Sequence, residues 1–287
     1  MSAHAYDQSV NKLSAAQRIR IVAALVEGNS IRATCRMTGA AKGTVLKLLA
    51  DLGAACLAYH DEHVCGLKTR RVQCDEIWAF VGAKDKNVLD DERGTGLGSV
   101  WTWTAIDADS KLIVSYLVGG RDGGYAYEFM QDVASRLSHR VQLTTDGHKA
   151  YLLAVEDAFG ADIDYAMLVK LYGQDAAGEA RYSPPKCLGT VVGAVTGNPD
   201  PAHVSTSYVE RQNLTMRMSM RRFTRLTNAF SKKIENHAHA VALHFMHYNF
   251  CRVHQTLRVT PAMAAGIADH VWELTELVAL LPEPTVA

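Results

Sequence analysis

Between residues 14 and 49 apolar side chains recur at every third or fourth position, the spacing of one face of a helix. Ser14-Ala-Ala-Gln17 is a capping-box pattern, and the apolar positions after it are Ile19, Val22, Ala23 and Val26. Gly28 ends this pattern, Ser30 can cap a second one that runs to about Thr38, and a third follows Gly39. The spacing therefore predicts three consecutive helices.

From residue 71 the pattern changes to alternating, β-branched and aromatic runs, which favour strands. Three such runs predict an antiparallel meander, at 71–81, 100–106 and 111–118. The segments after the meander predict a helix, a strand, a helix and a strand, at 125–137, 141–146, 148–159 and 162–171. This region is predicted to form a sheet with helices on its faces.

Residues 172–204 are rich in glycine and proline and predict an inserted loop or an irregular subdomain. Ser207-x-x-Glu210 is a second capping-box pattern that opens a helix, and a long helix is predicted over 231–250. Three strands, a helix, a strand, a helix, a strand and a helix is the order of ribonuclease-H-like folds. The predicted fold class is α/β, a ribonuclease-H-like mixed sheet flanked by helices and preceded by a small all-α helix-turn-helix domain.

The chain has 287 residues, 48% of them apolar, which is enough for one large domain or two. We predict three parts: a helical DNA-binding domain at 11–68, a catalytic domain at 69–265 with an insertion at about 172–204, and a tail at 266–287. No apolar run reaches the ~18–20 residues of a membrane helix, and no secretion signal is visible. Six cysteines without a C-x-x-C pair do not make a disulfide scaffold, so we expect a reduced, cytoplasmic protein.

The charges balance at 30 basic and 30 acidic side chains, but they are segregated along the chain. Residues 11–72 hold 10 Lys and Arg against 4 Asp and Glu, and residues 203–258 hold 9 against 2. Residues 73–202, between them, hold 11 against 19. Two basic zones around an acidic middle favour a polyanionic partner and a carboxylate site between the zones, although blocks of this size also arise on solvated faces.

The first basic zone has the spacing of a helix-turn-helix motif. Cys35 is the small residue where two helices would pack, Gly39 fits the tight turn, and Val45 would anchor the second helix. The outward positions of that helix would then offer DNA contacts, from Lys42, Thr44 and Lys47. The alternative is a three-helix bundle without a ligand.

A possible zinc site follows this motif. Its four side chains have zinc-ligand chemistry and lie within ten residues: Cys56, His60, His63 and Cys65. Ligands on nearly one helix cannot easily surround an ion tetrahedrally, so we favour packing over zinc.

Carboxylates occur where chemistry is expected in a sheet of this order. Asp75 lies on the first predicted strand, Asp146 ends the fourth, and Glu210 on the later helix could supply a third ligand. Magnesium prefers such hard oxygen ligands, and two ions ~3.5–4 Å apart promote phosphodiester chemistry. The sequence therefore predicts a site for two divalent ions, magnesium or manganese, held by Asp75, Asp146 and Glu210.

Four stretches of the chain resemble DDE-class bacterial insertion-sequence transposases, most nearly the insertion-sequence-one type with an N-terminal helix-turn-helix. They are Cys-Asp75-Glu-Ile-Trp, Thr-Thr-Asp146-Gly-His-Lys-Ala-Tyr, Tyr-Val-Glu210-Arg-Gln-Asn-Leu-Thr-Met-Arg217 and the stretch from Tyr248 to Pro261. The resemblance spans about 12–265. It implies that Asp75, Asp146 and Glu210 are the catalytic, metal-binding carboxylates, and that Arg217 is a basic partner holding the DNA.

Three other side chains could replace or support these carboxylates. Glu179 would give a shorter spacing from Asp146, but its surroundings predict no helix, so Glu210 is preferred. Glu76 should point to the face of the strand opposite Asp75 and should not ligate. His148 could contact DNA or support a ligand, although a polar residue at a helix start is often neither.

These observations leave an active transposase, which cuts and joins DNA at insertion-sequence ends, as the favoured function. The expected partner is double-stranded DNA, bound by a homodimer or a higher oligomer. The alternatives are a DNA-binding relative without catalysis and a ribonuclease-H-like nuclease that cuts without joining.

Overall fold

The computed structural model describes residues 13–92, 94–173, 187–224 and 227–282. Three helices come first: α1 (Ala15–Val26), α2 (Ile31–Thr38) and α3 (Lys42–His63). The Ser14 hydroxyl and the Gln17 side chain form the predicted capping box at α1, and the Ser30 hydroxyl accepts from Ala33 N at α2. Gly39, with φ of 74°, ends α2 in the left-handed region that glycine adopts at no steric cost.

The rest of the described chain forms six strands and six further α-helices. The strands are β1 (Arg71–Val81), β2 (Gly98–Asp107), β3 (Ile113–Gly119), β4 (Gln142–Thr145), β5 (Asp164–Tyr172) and β6 (Cys187–Thr196). The helices are α4 (Gly123–Arg136), α5 (Ala150–Phe159), α6 (Ser207–Ser219), α7 (Ile234–Met246), α8 (Pro261–Ala264) and α9 (Leu274–Ala279). None of the described helices is both long and apolar enough to span a bilayer.

The six strands form one mixed sheet in the order β3-β2-β1-β4-β5-β6. β1, β2 and β3 pair antiparallel as a meander, whereas β1, β4 and β5 pair in parallel. The parallel pairings require crossover connections, which α4 and α5 supply. This confirms the predicted fold class of an α/β mixed sheet flanked by helices, with the strand order of a ribonuclease-H-like fold.

β6 corrects the expectation of irregular structure across 172–204. It pairs antiparallel with β5 and forms the edge of the sheet. The Val- and Thr-rich run 187–196 suits a strand, and β5 offers it an open edge of backbone donors and acceptors. Glycine and proline dominate the wider segment and hide this signal. Glu179 and the neighbouring prolines lie outside the described residues.

Buried side chains form two hydrophobic clusters, which contain opposite faces of β1. Val72 and Cys74 belong to one, whereas Ile77 and Val81 belong to the other. The larger cluster continues from the sheet into α1, α3 and α9, so the N-terminal helices share its core. The boundaries at residues 68 and 265 stay predictions.

Helix α3 packs closely against α7. A Cβ atom on Gly53 would lie 2.6 Å from His239 Cα, closer than carbon atoms can approach. The glycine therefore allows the two helix backbones to meet, and any larger residue would push them apart.

Candidate active site

Asp75 and Asp146 are brought together by the pairing of two parallel strands. Cys74 in β1 lies opposite Thr145, the last residue of β4. Asp75 and Asp146 each come one residue later, so they are neighbours at the point where β4 ends. This is the carboxyl end of a parallel strand, where α/β sheets place ligands.

Glu76 joins these two aspartates, contrary to the sequence expectation. Carboxylate oxygens of Asp75, Glu76 and Asp146 all lie within 4.8 Å of one another. Strand alternation places Glu76 on the opposite face of β1, but β4 has already ended beside it, so its side chain can reach Asp146 around the open strand edge. Asp75 Oδ1 also accepts from the Glu76 backbone N at 2.9 Å, which keeps its carboxylate close to the strand.

Glu210 reaches the site from α6, which packs on β1. The Gln73 Oε1 atom accepts from Tyr208 N at 2.8 Å, and Asn213 Nδ2 donates to Asp75 Oδ2 at 2.8 Å. The expected capping box does not form, because α6 begins after Thr206 and has no side-chain cap. The Glu210 carboxylate instead accepts from the Thr206 hydroxyl at 2.6 Å and pairs with Lys170.

Asp75, Asp146 and Glu210 line one cleft of about 750 Å³. We call it the acidic cleft. Its other lining residues come from the turn before α4, the start of α5, strand β5 and the residue before α6: Arg121, Gly147, His148, Lys149, Leu168, Val169, Lys170, Tyr172 and Thr206. The cleft thus combines the three predicted carboxylates and His148 with basic side chains that the sequence did not single out, Arg121, Lys149 and Lys170.

The carboxyls of Asp75 and Glu76 titrate far above their ordinary range. Burial, and then the charge of Asp146, raise the pKa of each to about 7. Glu210 adds to the rise at Asp75, whereas the Asn213 hydrogen bond opposes it. Several carboxylates that repel one another in a buried place form a site that gains from binding a cation.

Arg121 and Lys170 supply internal counter-charges. The guanidinium of Arg121 lies 3.0 Å from Glu76 Oε2 and 3.7 Å from Asp146 Oδ2, and it stacks 4.5 Å from the centroid of the Trp101 ring. Burial lowers the pKa of Lys170, but the Glu210 carboxylate more than offsets this and raises it. Neither cation has a sequence signal, because each is defined by what the fold places opposite it.

The donor set fits a divalent metal. Asp75, Glu76 and Asp146 offer oxygens close enough to share an ion, and hard oxygen ligands are what magnesium and manganese prefer. Glu210 lines the same cleft, where Lys170 holds its carboxylate. Within the described residues, Asp75, Glu76 and Asp146 form the single group of three or more metal-capable side chains.

The structure places one of two further candidate DNA-contact residues, His148, in the acidic cleft. His148 lines the acidic cleft, its backbone N donates to Asp146 Oδ1 at 2.9 Å, and burial together with Arg121 lowers its pKa. Arg217 is half-buried near the end of α6 and is not among the residues that line the cleft. A position beside the carboxylates therefore stays a prediction for Arg217.

The DNA-contact candidates on α3 are near its start. Lys42 and Lys47 are exposed and Thr44 is half-buried, and Lys47 pairs with Asp51 at 2.8 Å. The zinc candidates are separated: Cys56 and His60 are buried, whereas Cys65 is exposed. His60 Nε2 lies 3.2 Å from the Ile113 backbone oxygen, a packing role.

No protein-family profile matches the chain, and no curated protein matches its sequence. Among solved structures, the chain is similar to a piggyBac transposase in a synaptic complex with hairpin DNA. That match has 11% identity, covers 93% of this chain and 69% of the other, and has a TM-score of 0.34. A likeness this low does not indicate a function.

Proposed function

We propose that the protein is a DDE-class transposase of the bacterial insertion-sequence type, acting on DNA in the cytoplasm as a dimer or larger assembly. The observation that carries the proposal is the meeting of Asp75, Asp146 and Glu210 in one cleft of a sheet with ribonuclease-H-like strand order. The three residues come from two parallel strands and a later helix, as the resemblance implies. Site residues at strand ends and on an adjacent helix are fixed by rigid elements.

In the proposal, Asp75, Asp146 and Glu210 hold divalent magnesium or manganese, and Glu76 is close enough to contribute. The ions supply activation of the attacking oxygen and stabilisation of the leaving oxygen. The protein's own part is geometric: Asn213 orients Asp75, and Thr206 orients Glu210.

The basic side chains complete the proposed division of tasks. Lys42, Thr44 and Lys47 at the start of α3 contact DNA, and Arg217 holds the DNA end for cleavage. Arg121 lies beside Glu76 and Asp146, and Lys170 lies beside Glu210, so these two cations partly neutralise the cleft until metal ions bind. None of these roles requires the two basic zones to bind different molecules.

The test is DNA cleavage and joining by Asp75→Asn in magnesium or manganese. The amide cannot supply the anionic ligand, so cleavage should be lost, while duplex binding stays equal or tightens because a charge repelling phosphate is gone. Asp162→Asn is the matched control, since Asp162 is exposed and outside the cleft.

Three results would contradict the proposal in different ways. Cleavage that survives Asp75→Asn would exclude the carboxylate site. Cleavage by the wild-type chain without strand joining would favour a nuclease. Tight DNA binding with no cleavage under either metal would favour a non-catalytic DNA-binding protein.

A further inference from the structure

A second cavity, of about 610 Å³, lies where the N-terminal helices meet the chain after α6. We call it the basic cavity, after six of the side chains that line it: Arg32, Arg36, Lys42, Arg221, Arg222 and Lys232. The first three belong to the first basic zone of the sequence and the last three to the second. Residues almost 200 positions apart thus form one cationic surface.

The basic cavity contains no internal counter-charge. None of its lining residues is acidic. Among the described parts of the chain, none of the six cations forms an ion pair, in contrast to Arg121 and Lys170. Like charges gathered without a partner repel one another, and a concave surface concentrates their field. A bound anion would relieve this repulsion.

Two of the cations are held in place. Arg222 Nη1 donates to the Ser231 hydroxyl at 2.6 Å, and burial lowers the Arg222 pKa to about 10. Lys232 Nζ lies 3.4 Å from the centroid of the Phe230 ring. Apolar side chains, among them Leu46 and Leu49, form part of the wall and reduce screening by water. A fixed, poorly screened guanidinium is suited to a phosphate oxygen.

Helix α6 joins the basic cavity to the acidic cleft. Glu210 lines the cleft and Ser219 lines the cavity. Nine residues separate them, which is roughly 14 Å along a helix. A DNA strand advances ~3.4 Å per nucleotide along the duplex axis, so this separation corresponds to about four base pairs.

We propose that the basic cavity binds the sugar–phosphate backbone of the DNA whose cut site lies in the acidic cleft, a few base pairs from the cut. The proposal rests on the proposed function for the identity of the DNA, and it joins the two basic zones into one binding surface. Recognition is by charge, so it is independent of base sequence. Lys42 is then a phosphate contact.

The experiment compares Arg32→Gln, Arg221→Gln, the double variant and wild type for binding to short labelled duplexes of unrelated sequences. Each lost phosphate contact should reduce the salt dependence of log Kd by about 1. Binding should weaken similarly for every sequence, and the double variant should lose more than either single one. Lys232→Gln and Lys86→Gln are a matched pair, because Lys86 is exposed and outside the cavity.

A second measurement, of thermal unfolding, distinguishes loss of the binding site from misfolding of the variants. Inorganic tripolyphosphate should raise the thermal midpoint of wild type and of Lys86→Gln, and raise that of the double variant less. Unchanged affinity and salt slope in the double variant would overturn the inference, as would a loss confined to one DNA sequence.

The experiments distinguish failure of the basic-cavity inference from failure of the proposed transposase function. If cavity variants bind DNA like wild type while Asp75→Asn loses cleavage, the inference fails and the transposase proposal stands. If wild type never cleaves but the cavity variants lose affinity for every duplex, the inference stands and the transposase proposal fails.

Discussion

The acidic cleft and the basic cavity are both concave and charged, but they neutralise their charges differently. In the cleft, Arg121 pairs with Glu76 and Lys170 pairs with Glu210. In the cavity, none of the lining residues that the structure describes is an acid. One site carries its counter-ions within the fold, and the other must take them from a ligand.

The difference indicates what an incoming ion must displace from each site. Cations entering the cleft compete with two side chains and with protons, because the carboxyls of Asp75 and Glu76 have a pKa of about 7. An anion entering the cavity displaces only water and salt ions. Cleft occupancy should therefore depend on pH, and cavity occupancy on salt.

The largest expected effect separates Glu210 from Glu76 as the third metal ligand. Glu210→Gln should lower the cleavage rate on the order of 100- to 1,000-fold, the scale of losing one group that stabilises developing charge. Glu76→Gln should lower it less, since Arg121 already engages that carboxylate. Single-turnover cleavage with saturating DNA measures both, and the opposite ranking would give the third position to Glu76.

Next in size is the contribution of Arg217. Arg217→Ala should reduce cleavage and joining on the order of 100-fold, the cost of a misplaced reacting group, and barely change the affinity for the DNA ends. Cleavage assays run beside gel-shift titrations measure the two quantities. Equal losses of affinity and rate would place Arg217 with the basic cavity instead of the cleft.

The stability of the metal-free protein should depend on pH in an unusual direction. Carboxyls with a pKa of about 7 in the fold and roughly 4 when unfolded bind protons more tightly when folded. Their contribution is present at low pH and is lost as pH rises from ~4 to ~7, by at most about 1.4 kcal/mol per pH unit for each carboxyl. Other carboxylates, such as Asp61, have a lowered pKa and act in the opposite direction.

Thermal melts in a chelator between pH 5.5 and 7.5 measure this contribution. Asp75→Asn should flatten the decline, Asp162→Asn should leave it, and magnesium or manganese should restore stability at the higher pH. A decline of equal slope in Asp75→Asn and wild type would rule out the cleft as its source.

The smallest expected effect concerns Lys47. Lys47→Ala removes an exposed pair with Asp51, which is worth about 0.3–0.5 kcal/mol at most, so folding should hardly change. If Lys47 contacts DNA as predicted, the variant should bind the insertion-sequence ends more weakly. The salt dependence of its log Kd should fall by about 1. Unaltered affinity for the ends would remove Lys47 from the predicted contacts.

Periodicity and caps were enough to predict most helices and the order of the strands. Asp75 and Asp146 were found because the predicted strand order puts β1 beside β4, so that Asp75 within β1 lies next to the residue that ends β4. β6 was missed because glycine and proline outweighed its valines. The closeness of the Glu76 carboxylate to the aspartates was not predicted, because strand alternation describes Cβ directions, whereas a long glutamate side chain can extend beyond them. Arg121, Lys170 and the basic cavity depend on contacts between distant segments, which local patterns do not contain.

The close packing of α3 on α7 at Gly53 fixes a distance within the protein. Because α3 meets α7 backbone to backbone at Gly53 and His239, and both helices share a hydrophobic cluster with β1, we expect α3 to keep a fixed position relative to the carboxylates. In the proposed transposase, the span between a recognised sequence and the broken bond is then a property of the protein. This span should stay the same when the base pairs between the recognised sequence and the cut are substituted. When one base pair is inserted between them, the cut should fall at the same distance from the recognised sequence, and therefore at a different base pair.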